Sequence, residues 1–161
     1  MSFESGEFRQ ALGCYPTGVA VVTALGADGA RLAMTASSFT SVSLDPPLVS
    51  FCLDRASVWF QAFQAVGHFA VNVLREGQAQ LSDDFARIEG GSWQGLDTVT
   101  WRTGCPILKD ALAAFECRIH ARHEAGDHLI LVGEVLGIAS DGEGAPLAFF
   151  RGGYRRLAGK G

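Results

Sequence analysis

A run of small hydroxyl side chains between Met34 and Leu44 is the part of this chain best suited to binding a ligand. The run contains no charged residue, and its hydroxyl-bearing members are Thr35, Ser37, Ser38, Thr40, Ser41 and Ser43. Each hydroxyl group can donate and accept a hydrogen bond. The pattern therefore fits a surface that binds a neutral ligand, and it also fits a Ser/Thr-rich edge strand of an ordinary β protein.

The hydroxyl run is followed by a rigid corner, Asp45-Pro46-Pro47. Proline fixes φ and lacks an N–H group, so two consecutive prolines cannot continue a helix. The apolar residues 48–53 come next, and their length and composition predict a short buried strand. Two extended segments are therefore expected to meet at this corner.

Ser57 is a second candidate ligand residue, because it precedes the apolar residues Trp59, Phe60 and Phe63. This spacing predicts a short helix over residues 57–63 with Ser57 as its N-cap. A hydroxyl group at the positive end of a helix dipole is a favourable place for a phosphate. A plain helix cap explains the same serine, and Arg55 either adds charge to such a site or is simply solvated.

The elements that must position these side chains follow from turn residues and apolar periodicity. Helices are predicted at residues 7–12, 57–63 and 78–87, and a loop at residues 90–95. Strands are predicted at residues 18–25, 31–36, 48–53, 68–74, 98–103, 114–122 and 128–139. Asp28-Gly29 marks a hairpin turn between the first two strands, which delivers the hydroxyl run.

Two of the predicted strands indicate how the sheet is covered. Residues 114–122 alternate strictly, with Phe115, Cys117, Ile119 and Ala121 expected to face inward and Glu116, Arg118, His120 and Arg122 outward. Residues 129–132 are all apolar, so both of their faces must be covered. Several antiparallel strands with few short helices predict a mainly β, closed barrel.

Length and composition indicate one domain over residues 1–161. The chain is 48% hydrophobic, with a mean hydropathy of +0.18, and it contains no low-complexity tract. A chain of this size buries a substantial core but leaves much of its surface exposed. The apolar excess therefore predicts that a second subunit covers part of the surface, most simply in a homodimer.

The net charge and the N-terminal residues exclude several classes of partner. A formal net charge of −4 supplies no positive field for phosphate backbones or acidic membranes. The first residues lack a basic segment followed by an apolar one, and no apolar run reaches the roughly 18 residues that a membrane-spanning helix needs. We expect a soluble, cytoplasmic protein that binds neither nucleic acid nor membrane.

The cysteines and histidines do not form a recognisable metal site. Cys14, Cys52, Cys105 and Cys117 are scattered among apolar neighbours, which predicts buried free thiols. His120 and His123 are three positions apart, so on a strand they point to opposite faces and no metal site is expected. The chain also lacks the GxGxxG, Walker and GxSxG motifs, which argues against Rossmann dehydrogenases, P-loop NTPases and α/β-hydrolases.

The hydroxyl run and its corner, MTASSFTSVSLDPPLVSFCL, resemble the signature segment of the flavin reductase-like family. The resemblance continues in family order through YPTGVAVVT at residues 15–23, FAVNVL at 69–74, DFA at 84–86, GDH at 126–128 and RGGY at 151–154. It covers nearly the whole chain. It implies the FMN-binding split barrel, an antiparallel Greek-key barrel with a few short helices, and NAD(P)H-dependent reduction of flavin.

The resemblance also implies roles for individual residues. Thr35, Ala36, Ser37 and Ser38 would lie along the isoalloxazine and ribityl groups of FMN, and Ser50, Phe51 and Cys52 would flank the ring. Ser57 would approach the phosphate and Phe85 would pack near the flavin. The catalytic-site candidate is His128, which would contact the nicotinamide, with Tyr154 on the same side of the pocket.

The implied substrates are free FMN, with FAD possible, and NADH or NADPH, and the implied partner is a separate monooxygenase that receives the reduced flavin. The spacing of the motifs does not distinguish FMN from FAD or riboflavin. It also does not show whether the flavin is a bound cofactor or a diffusing substrate. Two alternatives remain open from the residues. One is a split barrel that binds flavin or haem without reducing flavin, and the other is a cofactor-free dimeric interaction domain.

Overall fold

The computed structural model describes residues 3–87 and 91–157. The helices of the described residues are α1 (Ser5–Leu12), α2 (Phe60–Ala65) and α3 (Ala79–Ala86), and a 3₁₀ turn at Glu76–Gln78 precedes α3. The strands are β1 (Thr17–Gly18), β2 (Ala20–Leu25), β3 (Arg31–Ala36), β4 (Thr40–Leu44), β5 (Pro47–Asp54), β6 (His68–Val73), β7 (Thr98–Thr100), β8 (Pro106–Leu108), β9 (Ala113–Ala125), β10 (His128–Ser140), β11 (Ala148–Phe150) and β12 (Gly153–Arg155).

Seven of these strands form one antiparallel sheet in the order β3-β2-β6-β9-β10-β5-β4. A flat sheet of seven strands would be about 29 Å wide. The two edge strands, β3 and β4, are joined by residues 37–39 alone, which span about 14 Å when extended. The sheet must therefore curl until its edges approach each other, and the result is a barrel that is open along one seam.

The interior of the barrel is filled by aromatic and aliphatic side chains from both sides of the seam. Phe51 of β5 packs edge-on against Phe69 of β6, with ring centroids 5.1 Å apart, and against Phe63 of α2 at 6.4 Å. A Cβ atom at Gly133 would lie 2.4 Å from the Phe69 ring, so only glycine fits that position of β10. Close packing of these rings keeps the curvature of the sheet and hence the place of the seam.

A second apolar layer covers the outside of β2 and β3. Val21 and Ala33 point outward into it and meet Phe85 of α3 and Leu147, while Val22 points into the barrel. Both faces of β2 are consequently buried. The layer matters for the seam because it docks α3 directly against the strand that carries the hydroxyl run.

Most of the predicted elements are confirmed, including the antiparallel, mainly β fold. Strand β3 has the predicted bounds, and β4 and β5 form an antiparallel hairpin whose corner is Asp45-Pro46. Strand β7 ends at Thr100 rather than at residue 103, and the helix predicted at residues 78–87 is the 3₁₀ turn followed by α3. Gly90 of the predicted loop lies outside the described residues.

Three predictions about single side chains are wrong. Glu116 is 1% exposed rather than solvent-facing, because the segment after β7 covers it and the N–H and hydroxyl groups of Thr103 donate to its carboxylate at 2.7 and 2.8 Å. Cys14 is exposed and Cys52 is partly exposed, whereas Cys105 and Cys117 are buried. Local apolar composition does not predict which strand faces are covered by elements distant in the sequence, such as the β7–β8 hairpin over Glu116.

Ser57 is not the N-cap of its helix, which differs from the prediction. Its N–H group bonds the carbonyl of Asp54, so Ser57 closes a turn at the end of β5 and α2 begins at Phe60. The Ser57 hydroxyl accepts a hydrogen bond from the N–H of Trp59 at 3.2 Å. Among the described residues, no helix is long and apolar enough to cross a membrane.

Candidate active site

A groove of about 340 Å³ lies at the seam, between residues 15–18 and residues 37–40. Its walls are formed by Tyr15, Pro16, Thr17, Gly18, Ser37, Ser38, Phe39 and Thr40. The set combines hydroxyl groups with two aromatic rings and contains no Asp, Glu, Lys, Arg or His. Its volume lies in the range of small-molecule sites, about 300–1,000 Å³. The groove therefore suits a neutral, partly aromatic ligand.

Strand register brings the two walls together. Ala20 of β2 pairs with Ala36 of β3, so the residues just before Ala20 and just after Ala36 leave the sheet side by side. On the first wall, Thr17 is held by pairing with Phe149 of β11. On the second wall, residues 37–39 cross the seam to reach β4. Sequence reasoning missed residues 15–18 as a wall because their local pattern indicates only a helix end and a strand start.

Ser38 and Cys52 are bonded to each other where the ladder between β4 and β5 continues beyond the start of β4. The N–H of Cys52 donates to the Ser38 hydroxyl at 2.9 Å, and that hydroxyl lies 3.5 Å from the carbonyl oxygen of Cys52. Strand β4 begins its pairing with β5 at Thr40 and Ser50, so Ser38 extends the ladder by one side chain. The predicted flavin donors Ser38 and Cys52 thus stabilise the seam, and the exposed Ser37 makes no side-chain hydrogen bond within the described residues.

The alternation of β5 separates its predicted site residues. Val49, Phe51 and Leu53 are buried in the barrel, and Ser50 and Cys52 occupy the opposite face of the strand, where they are partly exposed. The Phe51 side chain is 0% exposed, so contact of this residue with a flavin ring stays a prediction for its backbone. Of the three residues predicted on this strand, Ser50 and Cys52 present side chains on its outer face.

Thr35 and Ala36 end β3 directly before the groove. Ala36 is buried against the barrel core, whereas the Thr35 hydroxyl donates to the backbone carbonyl of Ser82 on α3 at 2.7 Å. A hydroxyl group has one proton, so Thr35 retains only acceptor capacity. It is therefore suited to accept from a ligand N–H group.

Tyr154 reaches the same helix from the C-terminal hairpin. Its hydroxyl donates to the Asp83 carboxylate at 2.5 Å and lies 2.9 Å from the Ser82 hydroxyl. Burial, followed by the hydrogen bond to Asp83, raises the pKa of Tyr154 above its usual value. Thr35, Ser82, Asp83 and Tyr154 form one connected polar cluster, and nothing in the sequence pattern predicted Ser82 or Asp83 as members of it.

Phe85 belongs to the apolar layer beneath this cluster. It is 2% exposed and packs against Trp93 with ring centroids 5.2 Å apart, so this ring belongs to the core, and its packing near the flavin stays a prediction. A Cβ atom at Gly91 would lie 2.4 Å from the same ring. Phe85 thus supports α3 from below, because its position in the last turn of the helix faces the core.

His128 opens β10 beside the end of β5, where it pairs with Asp54. Its Nδ1 atom lies 2.7 Å from the Asp127 carboxylate, and its side chain is 40% exposed. The hydrogen bond from His128 lowers the pKa of Asp127. A carboxylate acceptor fixes the Nδ1–H form of a neutral imidazole and leaves Nε2 as an acceptor.

A larger cavity of about 890 Å³ lies between α1 and the turn after β11. Glu7, Arg9, Gln10 and Arg151 line it, so its surface is charged. None of the predicted site residues contributes to its walls. The groove at the seam is the better match for an uncharged ring system.

Three comparisons relate the chain to known proteins. Residues 12–158 match the family model described as "Flavin reductase like domain". A "Probable flavin reductase" of Rhizobium meliloti is 44% identical over 160 residues. The aligned region covers 98% of this chain but only 51% of the length of that protein. The reductase component of the 4-hydroxyphenylacetate 3-monooxygenase of Thermus thermophilus is 39% identical over 93% of the chain and 95% of that protein.

The fold is shared with solved structures. The NADH:FAD oxidoreductase SgcE6 of Streptomyces globisporus C-1027 superposes with a TM-score of 0.91 at 37% identity, covering 98% of this chain and 95% of that one. The family model covers most of the chain, including the hydroxyl run, His128 and Tyr154. The chain belongs to the flavin reductase-like domain family.

Proposed function

We propose that this chain catalyses the reduction of a flavin, FMN or FAD, by NADH or NADPH. The observation that carries the proposal is the groove at the seam, which offers hydroxyl groups and aromatic surface but no charged side chain. An isoalloxazine ring is a neutral heteroaromatic system with several hydrogen-bonding edges. The residues present therefore fit this group.

The chain contributes binding, orientation and exclusion of water. Ser37 and the walls around it hold the flavin, Thr35 accepts a hydrogen bond from it, and the Ser38 to Cys52 contact holds the wall at residue 38 against β5. A flavin held there would supply the acceptor for a hydride from the reduced nicotinamide. Fixed placement of both reactants lowers the entropic part of the barrier.

We assign the nicotinamide contacts to His128, at the end of β5, and to Tyr154, at the cluster around Thr35. Asp127 orients the His128 ring, so its Nε2 atom is available to a donor such as the carboxamide of the nicotinamide. Tyr154 is held by Asp83 and presents a polar edge of the cluster around Thr35. Ser57 closes the turn after β5 and remains our candidate for contact with the flavin phosphate.

The proposal extends to assembly and location. Exposed apolar side chains on α1 and β4, Phe8, Leu12, Val42 and Leu44, support a homodimer of single-domain subunits comprising residues 1–161. The four cysteines are free thiols, as expected in the reducing cytoplasm. The reduced flavin would pass to a separate monooxygenase, in keeping with the named role of the Thermus relative.

The decisive experiment is to purify the protein, record its visible spectrum and follow the oxidation of NADH and NADPH with and without added FMN, FAD or riboflavin. The proposal predicts nicotinamide oxidation that depends on flavin. Flavin binding without nicotinamide oxidation, or a haem spectrum, would support a cofactor-binding barrel without reductase activity. A colourless protein that binds no flavin and does not oxidise NADH would support an interaction domain.

A further inference from the structure

Thr17 carries a polar atom that the protein leaves without a partner. Its Oγ1 atom is buried and makes no hydrogen bond with any described residue. The backbone cannot move to supply one, since Thr17 pairs with Phe149 and Gly18 pairs with Ala148 in the ladder between β1 and β11. The hydroxyl group is therefore held in place without an internal acceptor or donor.

An unpaired buried hydroxyl group lowers stability, because it loses its hydrogen bonds to water on folding. Valine has nearly the same shape and is at least as favourable in a strand. A valine at this position would fill the same volume without the unpaired group. The threonine thus lacks a structural explanation within the described residues.

The position of Thr17 supplies a functional explanation. Thr17 forms part of the wall of the seam groove, opposite Ser37 and Ser38. The residue is partly exposed although its oxygen is not, so its accessible surface lies on its other atoms. Rotation about the Cα–Cβ bond exchanges the oxygen and the methyl group between staggered positions. Such a rotation would bring the hydroxyl group to the accessible side of this residue, which lines the groove.

We propose that the Thr17 hydroxyl group hydrogen-bonds the flavin in this groove, so that the ligand supplies the partner that the protein lacks. This inference rests on the proposed function. It places a flavin contact on residues 15–18, the wall that the hydroxyl run does not form. Ser37 and Thr17 then hold the ligand from opposite sides of the seam.

The test is flavin binding without turnover. Dissociation constants for FMN and FAD are measured by quenching of flavin fluorescence, in the absence of nicotinamide, for the wild type, Thr17→Val and Thr17→Ser. Thr17→Val is expected to raise the flavin dissociation constant by about 3- to 10-fold, which corresponds to the loss of one neutral hydrogen bond. Thr17→Ser keeps the hydroxyl group and is expected to bind within about twofold of the wild type.

Thermal unfolding of the same variants separates binding from folding. Thr17→Val is expected to melt at or above the wild-type temperature, because an unpaired polar group has been removed. Thr100→Val, an exposed position on β7 away from the groove, is the matched control and should leave the flavin constants unchanged. Size-exclusion chromatography should show the same oligomeric state for all variants.

Three results would overturn the inference: unchanged flavin binding by Thr17→Val, a loss of affinity shared by Thr17→Ser, or a lower melting temperature or altered oligomeric state that accounts for the loss. These results leave the proposed function intact if the wild type still oxidises NADH with FMN. Conversely, weakened binding by Thr17→Val in a protein that oxidises neither NADH nor NADPH supports the inference and rejects the reductase activity. A wild type that binds no flavin rejects both.

Discussion

The N–H group of Cys52 donates to the hydroxyl group of Ser38 at 2.9 Å, at the end of the β4–β5 ladder that borders the seam. One strand ladder is thus completed by a side chain, because β4 begins two residues after Ser38. The contact joins the end of the hydroxyl run to the strand that follows the proline corner. The contact holds in place the groove wall formed by residues 37–40.

Replacement of Ser38 by alanine should loosen this wall. The variant leaves the partly buried Cys52 N–H without its acceptor, so we expect a loss of about 1–2 kcal/mol in the free energy of unfolding. Urea denaturation followed by circular dichroism measures the loss, and flavin affinity should fall in parallel. Ser41→Ala, on the exposed strand β4, is the control and should change neither quantity. Equal stability of the two variants would show that the Ser38 contact is not stabilising.

Removal of the Tyr154 hydroxyl should uncouple the C-terminal hairpin from α3. Tyr154→Phe loses the bonds to Asp83 and Ser82, one of them to a charged acceptor, and should destabilise the fold by about 1–2 kcal/mol. Tyr15→Phe is the stability control, since Tyr15 is 75% exposed and its hydroxyl has no partner among the described residues. Chemical denaturation compares the two. A difference within experimental error would mean that water replaces Asp83 without loss.

Replacement of His128 by alanine should affect the nicotinamide more than the flavin. We expect kcat/KM for NADH to fall roughly tenfold or more, the value of one good hydrogen bond, while the FMN dissociation constant stays within about twofold. Asp127→Asn keeps the His128 ring but replaces its carboxylate partner, and should give a smaller loss of the same kind. Steady-state kinetics and fluorescence titration measure the two ligands separately. Equal losses for both ligands would contradict the assignment of His128.

Alkaline pH should destabilise the barrel through Cys117. Burial, with smaller contributions from Cys105 and Glu116, raises the pKa of Cys117 from 9.0 to about 12. The folded state holds this proton more tightly than the unfolded state, so the stabilisation is complete below pH 9 and is lost as the pH rises toward 12. Unfolding free energies measured across this range should fall less steeply for Cys117→Ala than for the wild type. Parallel slopes would show that Cys117 does not control the alkaline limb.

Local patterns in the sequence predicted the elements around the site well. The bounds of β3, the hairpin corner at Asp45-Pro46 and the apolar strand after it all follow from turn chemistry and from spacing within a few residues. The prediction for Glu116, in contrast, is wrong. Its alternation with Cys117 is correct for a strand, yet a hairpin about 15 residues earlier covers its outer face, and periodicity within the strand carries no information about that cover.

The amino-acid sequence by itself determined the antiparallel strands, the hydroxyl run and the family, because each depends on neighbouring residues or on motifs in order along the chain. Only the tertiary structure decided which hydroxyl groups are free. Ser38 is engaged by Cys52, Thr35 by Ser82, and Thr17 by none of the described residues. The partners lie 14 and 47 positions apart in the two bonded pairs, and the β4–β5 hairpin and the packing of α3 on β3 bring them within reach.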